Sequence, residues 1–265
     1  MNPLRLAIAG STGRMGQVLI RLTAAEADLR LVAAVTRTDD PLLGRDAGQV
    51  AGVAPLGVAI SSDISRDCDV LIEFTSPAGC RQWADWCAQR GVALVSGTTG
   101  LRPTEQSALR AAAAQIPVVW SPNMSVGVNL LFELVGLLAD RLDEHWDVEL
   151  CETHHRQKID APSGTALALL EAICARRGRP APEVVVHGRH GAAGPRPPGQ
   201  IGVHALRMGS IVGRHEVHFA SAAECLTLRH EALSRDAFAL GALRAARWLR
   251  GRAAGMYSMR DVLFG

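Results

Sequence analysis

Two consecutive histidines and the only lysine of the chain lie within five residues of one another, at His154, His155 and Lys158. The other 27 of the 28 basic residues are arginines, which keep their proton under ordinary conditions. A lysine can be tuned to release its proton, and histidine exchanges one near neutral pH. Chance placement of the lysine is the alternative interpretation, but the spacing favours a site that transfers protons.

A predicted helix follows this cluster. Residues 166–177 have helical spacing, and Ser163 is a suitable N-cap before them. The free backbone N–H groups beyond an N-cap form an anion-binding position, which here includes Gly164 and Thr165. Histidines, a lysine and a helix N-terminus thus fall within twelve residues. This combination suits a substrate with one or more carboxylates and a proton-transfer step.

The first half of the chain has a nucleotide-binding pattern. Residues 4–9 read as a buried strand, a glycine-rich turn follows, and residues 17–27 have helical spacing. Such a turn brings the backbone close to a pyrophosphate, which then lies at the helix N-terminus. Thr12 occupies the second glycine position of the usual motif, so a structural turn is the alternative. The predicted coenzyme contacts in the turn are Gly10, Ser11, Thr12, Gly13, Arg14, Met15 and Gly16.

Strands and helices alternate in the segments that follow. We predict strands at 31–35, 69–74, 92–96 and 117–120, with helices at 80–90 and 103–114. Alternation of this kind predicts an α/β fold with a Rossmann-type, doubly wound parallel sheet, which binds ligands beyond the carboxyl ends of its strands. The predicted contacts in those loops are Thr36, Arg37, Gly97, Thr98, Thr99, Ser121, Pro122, Asn123 and Met124.

The second half predicts a smaller α+β domain. A helix at 126–141 and a strand at 147–153 precede the histidines, and strands at 201–208, 211–220 and 224–231 predict a mostly antiparallel sheet. The loop at 187–200 is long enough to be functional. The tail helix, 235–250, has an apolar face that can dock on the first domain. We therefore predict a dinucleotide-binding domain of residues 1–125 and 235–265, and a substrate-binding and oligomerisation domain of residues 126–234.

Composition excludes several classes of protein. The net charge of +2 and the scattered arginines disfavour nucleic acid and membrane surfaces as partners. No apolar run is long enough to span a membrane, and the N-terminus does not resemble a signal peptide. The six cysteines form no CxxC pair, and the sheet histidines His204, His215, His218 and His230 lack a metal-ligand spacing. We expect a cytoplasmic protein with reduced thiols and no metal.

The chain resembles the 4-hydroxy-tetrahydrodipicolinate reductase family, also called dihydrodipicolinate reductase, over nearly its whole length. The first marks are the segments 10–16, 97–100 and 121–129. The most specific mark is Glu152-x-His154-His155-x-x-Lys158-x-Asp160-Ala161-Pro162-Ser163-Gly164-Thr165-Ala166. Residues 255–263 are also similar to the end of that family.

This resemblance implies NAD(P)H-dependent reduction of a cyclic dicarboxylate in lysine and diaminopimelate biosynthesis, by a homotetramer. It implies that His154 donates or accepts a proton and that Lys158 donates one. It also implies that the substrate carboxylates are bound by His155, Lys158, Gly164 and Thr165. We add Ser163, the predicted N-cap beside them, to the predicted substrate site. A reductase of another cyclic imine or amino acid, and a non-catalytic nucleotide sensor, are the alternative functions.

Four positions depart from the family pattern. Ser210 and Arg214 stand where the family often has carboxylates, Arg229 stands where it has a threonine, and Cys225 interrupts a Gly-Glu-Arg segment. The proton-transfer motif itself is intact. These differences affect packing of the second domain and of its subunits more than they affect the reaction.

The end of the second strand predicts the coenzyme. NAD-preferring Rossmann domains usually place a carboxylate there to hold the ribose 2′-hydroxyl, and here the sequence is Thr36-Arg37-Thr38. A cation without that carboxylate suits a 2′-phosphate, and Arg14 could add a second cation. We predict that NADPH is preferred over NADH. In the alternative, Arg37 points to solvent and Asp39 or Asp40 holds the ribose.

Overall fold

Two structural units divide the chain in the computed structural model, which describes residues 2–265. The first unit contains the residues up to Val126 together with Arg235–Gly265, and the second contains Gly127–Ser234. These bounds lie within one residue of the predicted ones. The ligands assigned to each domain from the sequence remain predictions.

A seven-stranded sheet forms the centre of the first unit. Its strands are β1 Leu4–Ala9, β2 Leu29–Val35, β3 Ile60–Ser61, β4 Val70–Glu73, β5 Ala93–Ser96, β6 Pro117–Trp120 and β12 Gly255–Tyr257. Their order is β12-β6-β5-β4-β1-β2-β3, and every pairing is parallel. The predicted doubly wound parallel sheet is therefore confirmed.

Helices cover both faces of this sheet. They are α1 Arg14–Ala24, α2 Ala47–Val50, α3 Pro77–Arg90, α4 Pro103–Ala113, α8 Asp236–Trp248 and α9 Met259–Phe264. Alternate residues of β1 point to opposite faces, so Leu6 and Ile8 join the apolar layer containing residues of α1 and α8, whereas Ala7 and Ala9 join the layer under α3 and α4. Because both faces are buried, β1 is apolar throughout apart from Arg5.

The tail of the chain is held in the first unit by charge as well as by apolar contact. Arg21 on α1 pairs with Asp236 at the start of α8, with 2.8 Å between Nη2 and Oδ1. Near the end of α8, Arg247 pairs with Asp28 at 2.7 Å. Between the two pairs, α8 buries apolar residues that include Leu243.

The second unit is built on a five-stranded sheet. Its strands are β7 Asp147–His154, β8 Val185–His187, β9 Ile201–Arg207, β10 Gly213–Ala220 and β11 Cys225–Ala232, and its helices are α5 Val126–Arg141, α6 Gly164–Arg177 and α7 Ala181–Val184. The order is β11-β10-β7-β9-β8. The two pairings of β10 are antiparallel and the two of β9 are parallel. The sheet is thus mixed, not mostly antiparallel as predicted, because α6 and the loop after β8 return the chain so that β9 runs alongside β7.

One face of the second sheet packs against α5 and α6 through Leu150, Val217 and Phe219, among others. The opposite face carries paired charges. Two of the four residues that depart from the family pattern lie on this face. Arg214 and Arg229 both bind the carboxylate of Glu231, at 2.8 and 2.7 Å. No helix among the described residues is long and apolar enough to cross a membrane.

Candidate active site

A cleft of about 570 Å³ opens at the carboxyl ends of β1, β2 and β4 in the first unit. Five of the predicted coenzyme contacts line it, together with residues of the loop after β4 and of α3. The five are Gly10, Thr12, Gly13, Thr36 and Arg37. Its position agrees with the rule that parallel sheets bind ligands beyond their strand ends.

The glycine turn fits a phosphate group. Gly10 has a φ of +76°, and a Cβ there would meet the carbonyl oxygen of Phe74 at 2.7 Å, so only glycine fits. Gly13 caps α1 without a side-chain hydrogen bond, which leaves N–H groups of the first turn free for an anion. The hydroxyl of Ser11 is buried without a partner. A dinucleotide pyrophosphate would satisfy such donors.

Glu73 connects two loops at this edge of the sheet. Its side chain is fully buried, and its carboxylate accepts the hydroxyls of Thr75 at 2.6 Å, Thr98 at 2.7 Å and Ser96. The backbone N–H of Thr75 is the fourth donor to this carboxylate, at 3.1 Å. Thr98, a predicted coenzyme contact, therefore uses its hydroxyl to hold the loop, and Gly97 lies against the ring of Phe74.

Other predicted contacts are not among the residues that line the cleft. The side chain of Met124 is buried in the apolar core and Met15 packs against that core, while Gly16 abuts the Gly10 carbonyl. Ser121 donates to the carbonyl of Asn123, whose side-chain oxygen accepts from Ser125. The remaining three, Arg14, Thr99 and Pro122, are exposed and are not part of the cleft lining.

Arg37 and Asp40 take different positions after β2. The Arg37 side chain is 80% exposed, and its Nε lies 3.5 Å from Asp39. Asp40 accepts the hydroxyls of both Thr12 and Thr36 at 2.7 Å through the same oxygen. The backbone N–H of Leu42 and these two hydroxyls lower the pKa of Asp40.

The second unit brings the predicted proton-transfer residues to the end of β7. His154 is the last residue of this strand, and its Nδ1 lies 2.6 Å from a carboxylate oxygen of Glu152. Arg207 on β9 lies directly opposite His154 in the strand pairing, and it donates to both oxygens of Glu152 at 2.9 and 2.8 Å. The backbone N–H of Ser163 donates to the same carboxylate at 3.0 Å.

His215 completes this cluster from β10. Its ring lies edge-on to that of His154, with 5.2 Å between the centroids, and its Nε2 is 2.9 Å from the hydroxyl oxygen of Ser163. That hydroxyl also accepts the N–H of Ala166, which confirms Ser163 as the N-cap of α6. Burial, reinforced by the neighbouring His154, lowers the pKa of His215 to about 3.

Lys158 lies in the loop between β7 and α6. Its ammonium is 2.8 Å from a carboxylate oxygen of Asp160, and its backbone N–H donates to the carbonyl of His155. Gly164 begins α6 with no heavy atom within 4 Å of the place a Cβ would take, and Thr165 follows it half-buried. The start of α6 is therefore open to a ligand.

Sequence reasoning missed Glu152, Arg207 and His215 as members of this site. Glu152 carried a signal, because residues two apart in a strand share a face with each other. Arg207 and His215 carried none: they follow Glu152 by 55 and 63 residues, and only the strand pairing joins them. Among the described residues, histidines, cysteines and carboxylates form no group suited to a metal.

A Rossmann-type unit with a phosphate-binding turn, and a second unit with a lysine, buried histidines and an open helix N-terminus, define a dinucleotide-dependent oxidoreductase. Family models described as dihydrodipicolinate reductase, N-terminus and C-terminus, match residues 4–124 and 127–263. The chain belongs to the dihydrodipicolinate reductase family. As such it is a nicotinamide-dependent reductase of lysine biosynthesis.

The individual similarities extend over the whole chain. A 4-hydroxy-tetrahydrodipicolinate reductase of Anaeromyxobacter sp. (strain Fw109-5) is 49% identical over 98% of this chain and 97% of its own length. One from Nitrosomonas europaea is 47% identical over 99% of both. The structure of the dipicolinate-bound dihydrodipicolinate reductase of Paenisporosarcina sp. TG-14 has a TM-score of 0.77 at 25% identity and covers 97% of both chains. These matches confirm the resemblance drawn from the motifs.

Proposed function

We propose that this reductase acts on a cyclic dicarboxylate and that Lys158 delivers a proton while His154 exchanges one. The observation that carries the proposal is the joint placement of His154, Lys158 and the open start of α6 in one unit. A reduced nicotinamide coenzyme supplies a hydride when bound. Hydride addition leaves negative charge on the substrate, and an ammonium group can neutralise it by giving up a proton.

The carboxylates would be held by cations and by N–H groups. Ser163 fixes the first turn of α6, and the N–H groups of Gly164 and Thr165 point where the helix dipole favours an anion. Lys158 and His155 add donors from the loop before it. The relative solved with dipicolinate bound supports a ligand with two carboxylates.

Two alanine variants test the proton-transfer roles. Lys158→Ala and His154→Ala should each lower kcat by roughly two orders of magnitude, the usual effect of losing a positioned acid or base. Lys158→Arg should not restore activity, because a guanidinium does not release its proton. The assay follows nicotinamide absorbance with aspartate semialdehyde, pyruvate and the preceding synthase. Near-normal kcat in both folded alanine variants would refute the assignment.

A competition experiment tests the dicarboxylate. Pyridine-2,6-dicarboxylate should compete with the substrate, and pyridine-2-carboxylate should compete much more weakly, because only the first can use two anion positions. Equal inhibition by the two compounds would argue against a pocket for two carboxylates.

For the coenzyme, we propose a preference for NADPH over NADH through Arg37. Arg37 lines the cleft, and its guanidinium, which is 80% exposed and lies 3.5 Å from Asp39, can turn toward a 2′-phosphate. Asp40 is less suited to hold a ribose, because both Thr hydroxyls and the Leu42 N–H already occupy its carboxylate. Asp39 would have to hold the ribose with Arg37 only 3.5 Å from its carboxylate.

Kinetics with both coenzymes test this preference. Arg37→Ala should raise the KM for NADPH roughly tenfold or more, the expected loss for a charged hydrogen bond, and leave KM for NADH nearly unchanged. Arg45→Ala, on the same loop but outside the cleft lining, is the matched control. A clear NADH preference in the parent enzyme would contradict the proposal.

We also propose that the protein is a cytoplasmic homotetramer assembled through the sheets of the second unit. The charged face of that sheet, where Arg229 lies 3.4 Å from Glu216, offers alternating signs that a second copy can match. All six cysteines are free, which suits a reducing compartment. Sedimentation equilibrium of the parent and of Arg229→Glu tests the assembly. The parent should be a tetramer, and the variant should dissociate at a higher protein concentration than the parent does.

A further inference from the structure

Glu152 is a fully buried carboxylate whose two oxygens are both paired with Arg207. A charge in this position is costly unless it is compensated, and removing one partner of such a pair is more harmful than losing a surface ion pair. Arg207 also donates to the backbone carbonyls of Leu206 and Asp160, so its guanidinium is fixed relative to β9 and the lysine loop. Arg207 therefore holds the Glu152 carboxylate in a defined position.

The charge states of Glu152 and His154 follow from their surroundings. Burial would raise the pKa of Glu152, but hydrogen bonds from Arg207 and His154 outweigh it and leave that pKa lowered. Burial lowers the pKa of His154, the hydrogen bond and charge of Glu152 oppose this, and the Lys158 and Arg207 cations reinforce it. At neutral pH the carboxylate is ionised and the imidazole is neutral. An ionised carboxylate only accepts hydrogen bonds, so the imidazole proton is on Nδ1.

We propose that Glu152 and Arg207 form a positioning pair that holds His154 as its Nδ1–H tautomer, so that Nε2 meets the substrate as a proton acceptor. This inference rests on the proposed function and deepens it, because it leaves Lys158 as the proton donor. Glu152 alone would orient the ring but would also favour the imidazolium form. Arg207 shares the carboxylate and offsets that effect.

Groups on every neighbouring element agree with this assignment. Glu152 lies on β7, Arg207 on β9 and His215 on β10, while Lys158 and its partner Asp160 lie on the loop before α6. Since His215 is neutral, the cations that face His154 are Lys158 and Arg207, and the anion is Glu152. On β10, Gly213 faces Nε2: a Cβ there would lie 3.0 Å from that nitrogen, so glycine leaves the acceptor accessible.

Imidazole NMR tests the tautomer without reference to activity. In ¹⁵N-labelled protein at pH 7, His154, identified among the nine histidines by its absence from His154→Asn, should show the neutral Nδ1–H pattern. An Nε2–H pattern or an imidazolium would overturn the inference. These outcomes do not depend on the proposed function, which the Lys158→Ala assay tests by itself.

Arg207→Gln tests the positioning pair. Without the cation, the His154 titration should move to higher pH, and kcat/KM at pH 6 relative to pH 8 should fall roughly fivefold further than in the parent. Arg207→Lys keeps the charge and should restore the titration, although it loses the two-pronged contact. It also serves as the folded variant if Arg207→Gln does not fold. Arg214→Gln, which removes an arginine paired with Glu231 in the same sheet, is the control. An unchanged His154 titration in Arg207→Gln, or a shift of equal size in Arg214→Gln, would overturn the role of Arg207.

Discussion

Ser163→Ala removes a hydroxyl that makes two contacts in the second unit, and its cost can be worked out from them. Loss of the N-cap of α6, the 3.2 Å bond from Ala166, costs about 1 kcal/mol. Loss of the 2.9 Å contact leaves the buried Nε2 of His215 unpaired, which costs roughly 1–3 kcal/mol. Because Nδ1 of that ring is already buried without a hydrogen bond, the ring has no second polar contact to compensate. We expect a total loss of about 2–4 kcal/mol.

Hydrogen exchange at the amides of α6, together with urea unfolding, measures this loss where it occurs. Ser258→Ala is the matched control, since Ser258 caps α9 but binds no buried histidine, and it should cost only about 1 kcal/mol. The KM for substrate should rise in Ser163→Ala, because α6 carries the proposed anion site, while the KM for coenzyme stays constant. A loss no larger than that of the control would refute the reasoning about His215.

Three further predictions follow from single contacts. Gly213→Ala should lower kcat roughly tenfold or more, because the added Cβ would lie 3.0 Å from Nε2 of His154. The KM for coenzyme should not change. A kcat equal to that of the parent would contradict this prediction. Glu73→Gln should raise the KM for coenzyme and lower the free energy of unfolding, measured in urea, by roughly 1–3 kcal/mol. The reason is that an amide NH₂ replaces a carboxylate oxygen that accepts from several donors. An unchanged KM would show that the two loops do not depend on Glu73. His215 has its pKa lowered from 6.5 to about 3 in the folded protein, so the folded state binds fewer protons than the unfolded state between these values. Its contribution to stability is present above pH 6.5 and is lost as the pH falls toward 3. In His215→Gln, the urea midpoint should therefore change less with pH across that range than in the parent.

Local sequence patterns predicted those parts of the fold that short-range interactions determine. The strand at 4–9, the glycine turn and the N-cap at Ser163 each depend on neighbours within a few residues, and all were found as expected. Helix α1 begins at Arg14, three residues before the predicted start, because Gly13 and not a later residue supplies the cap.

Pairing between distant strands could not be read from the sequence. The mixed order of the second sheet depends on where β9 inserts, and three short strands in succession resemble a meander when considered locally. The same pairing brings Arg207 beside Glu152 and His215 beside Ser163, so the charge balance of the site became apparent only with the fold. Glu73 was missed for a related reason, because an apolar strand pattern gives no indication that its last residue collects donors from two loops.

The return of residues 235–265 to the first unit has a consequence for synthesis on the ribosome. Residues 4–126 are synthesised before α8 and β12, so the nascent sheet lacks its edge strand β12 and exposes the apolar surface that Leu243 and its neighbours later cover. The second unit, by contrast, is contiguous, and all of its residues precede α8 in the chain. Released chains that end at residue 234 should therefore protect the second unit from protease and bind the coenzyme poorly. The unit whose synthesis begins first would then be the last to be completed.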